Sequence, residues 1–117
     1  MNSISVISIP VTDQQRAKEF YLQLGFQLII EAPMGPSQSW IQLGLPGTET
    51  SITLVNWFKE MPAGSLRGFI VDCDDIDSEI KTLTDKEIKV EPIDETPWGR
   101  YAAVIDPDGN HISIHCK

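Results

Sequence analysis

The chain has little of what chemistry-bearing proteins usually advertise. Of its 117 residues, two are cysteine and two are histidine. Cys73 and Cys116 make neither a disulfide framework nor a zinc-type spacing. They are read as reduced core or near-surface thiols of a cytoplasmic protein, in preference to the alternative of a disulfide. No apolar run approaches the roughly 18 residues of a membrane span, so no membrane partner is expected. No basic segment followed by an apolar block is seen at the start, so no secretory leader is expected. Nine basic residues face 17 acidic ones, for a formal net charge of −8, and the basic ones are scattered. A nucleic-acid surface needs them clustered, so that partner class is set aside. A Gly-rich phosphate loop, a Ser-His-Asp constellation and a Cys-His nucleophile are all missing. The acidic run Asp72, Asp74, Asp75, Asp77 lacks the mid-loop Gly and distal Glu of a calcium loop. It fits a helix N-terminus better, where carboxylates favour the dipole.

What is present is repetition. Residues 7–13 read Ile-Ser-Ile-Pro-Val-Thr-Asp, and residues 67–73 read Arg-Gly-Phe-Ile-Val-Asp-Cys, 60 positions later. Each is followed by a helical stretch and three short strand-like runs, and a period of this size demands a repeat reading. In the first half, residues 4–11 alternate and are β-branched, so they predict a strand. Asp13 offers an N-cap, Ala17, Phe20, Tyr21 and Leu24 make one apolar helical stripe, and Gly25 suits the C-cap. Strands are predicted over 26–31, 40–44 and 51–57, with a turn at Pro46-Gly47. In the second half, strands are predicted over 67–71, 88–93, 101–105 and 111–116. Asp74 or Asp75 caps a helix carrying Ile76, Ile80 and Leu83. The Pro, Gly and Ser of residues 61–65 mark the connector. Module 1 therefore covers about 1–60 and module 2 about 65–117, within a single domain of 1–117.

Three stretches carry a resemblance. They are Val11-Thr12-Asp13 with Phe20-Tyr21 and Leu24-Gly25-Phe26, then Trp98-Gly99-Arg100-Tyr101, then Asp106-Pro107-Asp108-Gly109-Asn110 before a last alternating strand. Together they resemble the vicinal oxygen chelate superfamily, the group of glyoxalase I, bleomycin-resistance proteins and extradiol dioxygenases. The resemblance implies an α+β fold: two tandem βαβββ modules forming a curled mixed sheet with a cleft, helices on the outside. It also implies a homodimer, whose modules pair within one chain or across two.

In metal-dependent members of that group, four His, Glu or Gln side chains hold a divalent ion from the first and fourth strands of each module. Counting from the local landmarks places those positions at Val6, Ile52, Leu66 and Ser113. Three cannot bind a metal and serine is a poor ligand, so no metal and no cofactor are expected. His111, Ser113 and His115 share one strand face, but positions 111 and 115 lie roughly 13 Å apart on an extended strand, too far to share one ion. His111 is the candidate for acid–base work.

Alternation gives the expected cleft: Val6 and Ser8 with Ile4; Ile52, Leu54 and Asn56; Leu66 with Gly68 and Ile70; His111 and Ser113 with His115. Ile7, Ile9, Val11, Val55, Phe69, Val71, Ile112 and Ile114 form the complementary core face. Trp40, Trp98 and Tyr101 add aromatic surface to the cleft or pack in the core. Arg100 meets an anionic ligand group or pairs with a carboxylate, and the acidic surplus favours pairing. The expected function is binding of a small organic ligand in an apolar cleft without metal, as in the resistance-type members. The alternative is a glyoxalase- or dioxygenase-like lyase or oxidoreductase using a divalent metal or residues such as His111.

Overall fold

In each half a β-branched strand runs into an aspartate, and an apolar helical stripe follows. The computed structural model describes residues 1–116. Strand β1 (Val6–Pro10) leads to helix α1 (Gln14–Leu24), then β2 (Gln27–Pro33), β3 (Ser39–Gly44) and β4 (Ser51–Val55). The second half repeats the order with β5 (Phe69–Asp72), α2 (Ile76–Asp85), β6 (Asp94–Thr96), β7 (Gly99–Ile105) and β8 (His111–Cys116). The Asp13 carboxylate accepts the Gln15 and Arg16 N–H groups, and Asp75 accepts that of Ser78. These bonds satisfy donors that an α-helix leaves open at its first turn. Gly25 ends α1 at φ +119°, a conformation that costs glycine little.

The two modules form two four-stranded mixed sheets, ordered β1-β4-β3-β2 and β5-β8-β7-β6. In each, the first and fourth strands run parallel and the remaining pairs antiparallel. One face of each sheet is covered. Ile9, Val11, Ile41, Leu43, Ile52 and Leu54 pack with Ala17 and Tyr21 of α1, and Ala102, Val104, Ile112 and Ile114 pack with Ile76 and Leu83 of α2. All belong to one buried cluster that spans both modules. Burying each such side chain stabilises by about 1.5–3 kcal/mol.

One predicted strand is replaced. Residues 88–93 make only an isolated bridge, Val90 to Val104, and the short β6 forms later, over Asp94–Thr96. Pro92 has no N–H to donate to a ladder, so pairing stops after the Glu91 N–H reaches the Ala103 carbonyl at 2.8 Å.

The Asp-Pro-Asp-Gly-Asn turn ties the halves together. The buried Asp106 carboxylate accepts from the Tyr21 hydroxyl and from Asn110 Nδ2, both at 2.8 Å, and from the backbone N–H groups of Asp108 and Asn110, both at 2.9 Å. Asn110 Nδ2 also donates to the Pro10 carbonyl at 2.7 Å, and its Oδ1 accepts from the Leu66 N–H at 3.0 Å. Thr12 donates its hydroxyl to Asp108 at 2.6 Å. Gly64 lies so close to the Asp108 carbonyl that a Cβ there would collide with it.

Burial and the neighbouring Asp106 charge hold the Tyr21 phenol far above its ordinary range. The unfolded chain therefore releases that proton first. Its contribution to stability is complete below about pH 10 and falls as pH rises further. Tyr21→Phe is expected to flatten the alkaline decline by up to about 1.4 kcal/mol per pH unit. Urea unfolding at neutral and alkaline pH measures it, and an unchanged alkaline slope would contradict the assignment.

Candidate functional site

The face of each sheet away from the helices is the candidate site, and strand register fixes its membership. Neighbouring partners in a ladder point to the same face. In the first sheet Val6 pairs with Ser51 and Ser8 with Thr53, while Ile7 pairs with Ile52 and Ile9 with Leu54. The open face thus holds Val6, Ser8, Ser51, Thr53 and Val55, joined by Gln42 opposite Thr53 and by Trp40. Trp40 Nε1 donates to Gln42 Oε1 at 3.0 Å and Gln42 Nε2 donates to Ser51 Oγ at 2.7 Å, a polar file along β3 and across to β4. Thr53 is buried, and its hydroxyl has no hydrogen-bond partner among the described residues.

In the second sheet Ile70 pairs with Ser113 and Asp72 with His115, and Ala103, Tyr101 and Ile105 stand opposite Ser113, His115 and His111. The Asp72 carboxylate lies 2.7 Å from His115 Nδ1, and the Trp98 carbonyl lies 3.0 Å from His115 Nε2. The Tyr101 ring packs on His115 at 4.6 Å between centroids. A Cβ at Gly99 would strike the same imidazole, so the β6–β7 turn needs glycine there.

The expected cleft list changes accordingly. Ile52 and Leu54 face the helix-covered core, not the open face. β4 ends at Val55, two residues short of the strand expected over 51–57, so alternation counted from the end of that strand falls one residue out of register. Asn56 is exposed beyond the strand end. Leu66 precedes β5 and packs against the core cluster. Arg100 lies on the register opposite to Tyr101 and pairs with Asp77 of α2 and Glu95 of β6, each at 3.0 Å. Trp98 sits 76% exposed in the turn before β7. Val6, Ser8, Trp40, His111 and Ser113 remain on open faces. His111 opens β8 half-buried, and it has no side-chain hydrogen bond among the described residues.

The structure also corrects the four quasi-equivalent positions. Val6 precedes the Asp13 cap by seven residues, and Gly68 precedes the Asp75 cap by the same seven. The Val11 N–H donates to the Val55 carbonyl at 2.8 Å just as the Cys73 N–H donates to the His115 carbonyl at 2.9 Å. By the same matching, Thr53 corresponds to Ser113. The quartet is Val6, Thr53, Gly68 and Ser113, in place of Val6, Ile52, Leu66 and Ser113. Two of these positions have no donor atom in the side chain and two have only a neutral hydroxyl. This set does not fit a divalent ion, which takes imidazole or carboxylate. Among the described residues no group of three or more His, Cys, Asp and Glu side chains is placed to hold a metal. The seven-residue spacing from strand to helix cap marks Gly68 in the sequence, whereas Thr53 is set only by the pairing of β4 with β1.

A groove of about 570 Å³ runs between the modules, lined by Ile4, Ile7, Ile52, Phe69, Ile70 and Val71 among others. It brings Ile52 of the expected list near Gly68 and Ile70. It does not include Trp40, Trp98, Arg100, His111 or Ser113.

Residues 3–114 match the Glyoxalase/Bleomycin resistance protein/Dioxygenase superfamily. YetH of Bacillus subtilis (strain 168) is 31% identical over 116 residues, covering 94% of each chain. The crystal structure of TnmS3, an antibiotic binding protein from Streptomyces sp. CB03234, is 40% identical and superposes with a TM-score of 0.93 over 99% of this chain and 96% of that one. A glyoxalase/bleomycin resistance protein from the same organism is 42% identical, with a TM-score of 0.85 over 97% of this chain and 99% of that one. The chain belongs to the glyoxalase/bleomycin resistance protein/dioxygenase superfamily.

Proposed function

We propose that this superfamily member binds a small organic molecule on the open faces of its sheets, without a metal ion, as a cytoplasmic homodimer. The quartet Val6, Thr53, Gly68 and Ser113 carries the reading, because it replaces ion ligands with apolar and hydroxyl groups. Trp40 and Tyr101 offer aromatic surface, and Gln42, Ser51, Ser113 and His111 offer a few hydrogen-bonding groups. That mixture suits a ligand with an apolar body and polar edges. The likeness to TnmS3, named as an antibiotic binding protein, supports the same class of occupant.

The test has two parts. Protein purified without tag or chelator is assayed for metal, and thermal unfolding is followed against a library of antibiotics and other small organic molecules. The expected result is about zero metal per chain and a hit whose effect survives chelation. At about 100 times its Kd such a ligand stabilises by about 2.7 kcal/mol. Ser113→Phe, which fills the open face, is expected to abolish that shift. Near one Zn, Ni, Mn or Fe ion per chain would overturn the metal-free reading. A hit untouched by Ser113→Phe would move the site elsewhere. Turnover of a hit that is lost in His111→Ala, with binding kept, would establish the enzyme instead.

A further inference from the structure

We propose that Cys73 and Cys116 form an oxidisable pair, two thiols on neighbouring strands that a neutral hydroperoxide converts into an intrachain disulfide. Their 43-residue separation in sequence hides the relationship. The β5–β8 ladder shows it. Val71 pairs with Ile114 and Asp72 with His115, and the Cys73 N–H continues the ladder by donating to the His115 carbonyl at 2.9 Å. The next position in register sets Cys73 beside Cys116. Adjacent strands lie about 4.8 Å apart, inside the roughly 4.4–6.8 Å between Cα atoms that a disulfide spans. Alternation from Val71 and Ile114 puts both side chains on the same face, and both pack at the margin of the core.

Access agrees with this pairing. Both sulfurs are thiols, half-buried, and both residues line a surface pocket of about 330 Å³ with Asp72, Asp74 and His115. Cys116 Sγ donates to the Asp74 carbonyl at 3.2 Å, which keeps it beside the turn that follows Cys73. Burial first, then Cys116 and the carboxylates of Glu79, Asp74 and Asp75, push the Cys73 thiol upward. An anionic surround disfavours anionic oxidants such as glutathione disulfide, so the reactant is a small neutral peroxide, and the raised Cys73 thiol makes the reaction slow at neutral pH and faster as pH rises.

The step balances simply. One thiolate attacks a peroxide oxygen, the O–O bond breaks, and a sulfenic acid and hydroxide result. The second thiolate attacks that sulfur, the S–O bond breaks, and a second hydroxide leaves. The two thiol protons convert both hydroxides to water. Overall, two thiols are oxidised to one disulfide and one hydrogen peroxide is reduced to two waters.

The full chain is treated with hydrogen peroxide, quenched by alkylation, and examined by intact mass and peptide mapping. The expected product has lost the mass of two hydrogens, carries a peptide joining Cys73 to Cys116 within one chain, and reverts with dithiothreitol. Cys73→Ser and Cys116→Ser are each expected to keep that mass and gain oxygen instead. Should either variant fail to fold, cross-link mapping of the unaltered chain decides alone. Two thiols still fully alkylated, at a peroxide dose that oxidises a small dithiol, would overturn the proposal. So would a cross-link formed only between chains.

Discussion

Asp106→Ala is expected to cost about 4–6 kcal/mol, a large part of the about 5–15 kcal/mol that a domain of this size holds. Four donors converge on this carboxylate: the Tyr21 hydroxyl, Asn110 Nδ2 and two backbone N–H groups. Tyr21 and Asn110 are both fully buried, so water does not replace the lost acceptor. Each buried donor left unsatisfied costs about 1–3 kcal/mol. Asn110 Nδ2 keeps its bond to the Pro10 carbonyl, which moderates its share. Tyr21→Phe removes one donor and leaves the acceptor three partners, so it should cost less, about 1.5–3 kcal/mol. Urea midpoints for the two variants test the order. A cost below about 1 kcal/mol for Asp106→Ala would show that the turn does not hold the modules together.

This network also shows what the sequence could and could not disclose. The turn itself was legible, because Pro107 presets φ and Gly109 takes φ +101° at no steric cost. Its tie to Tyr21, 85 residues away, was not, because no local pattern encodes a long-range hydrogen bond. The module repeat, both helices and most strands follow from period, caps and glycine positions, all of which are local. In the second sheet alternation sets Ile70, His111, Ser113 and His115 on one face, as the ladder does, whereas Leu66 lies outside β5. The first sheet's open face does not follow from alternation: all five residues of β4 are buried, so polarity gives no phase and Ile52 was set on the wrong face. Ser51 and Thr53 are buried as fully as Ile52 and Leu54, and only the pairing with β1 and β3 tells the faces apart. The acidic surplus points Arg100 toward a carboxylate partner, as its pair with Asp77 bears out, yet its place beside α2 depends on β7 register.

Ile70→Glu is expected to convert a homodimer into monomer at micromolar concentration. Within one chain β1 and β5 are sheet edges, and among the described residues no ladder joins the two sheets. Ile70 on β5 is 52% exposed and Ile4, just before β1, is 64% exposed, and both line the groove between the modules. Open strand edges beside exposed isoleucines invite a second chain, since edges left bare are sites of association. A second copy covering them would remove Ile70 from water on each chain. A carboxylate buried there without a partner costs about 3–5 kcal/mol, and about 4 kcal/mol weakens association roughly a thousandfold. Because Ile70 shares the open face with Ser113, the same variant should also weaken the ligand-induced thermal shift if the partner chain completes the cleft. Sedimentation and the ligand titration separate the outcomes. A wild-type monomer at micromolar concentration rules out the shared cleft. A dimer that persists in Ile70→Glu puts the interface on another surface, for which the exposed β2 edge with Leu28, Ile29 and Ile30 is the next place to substitute.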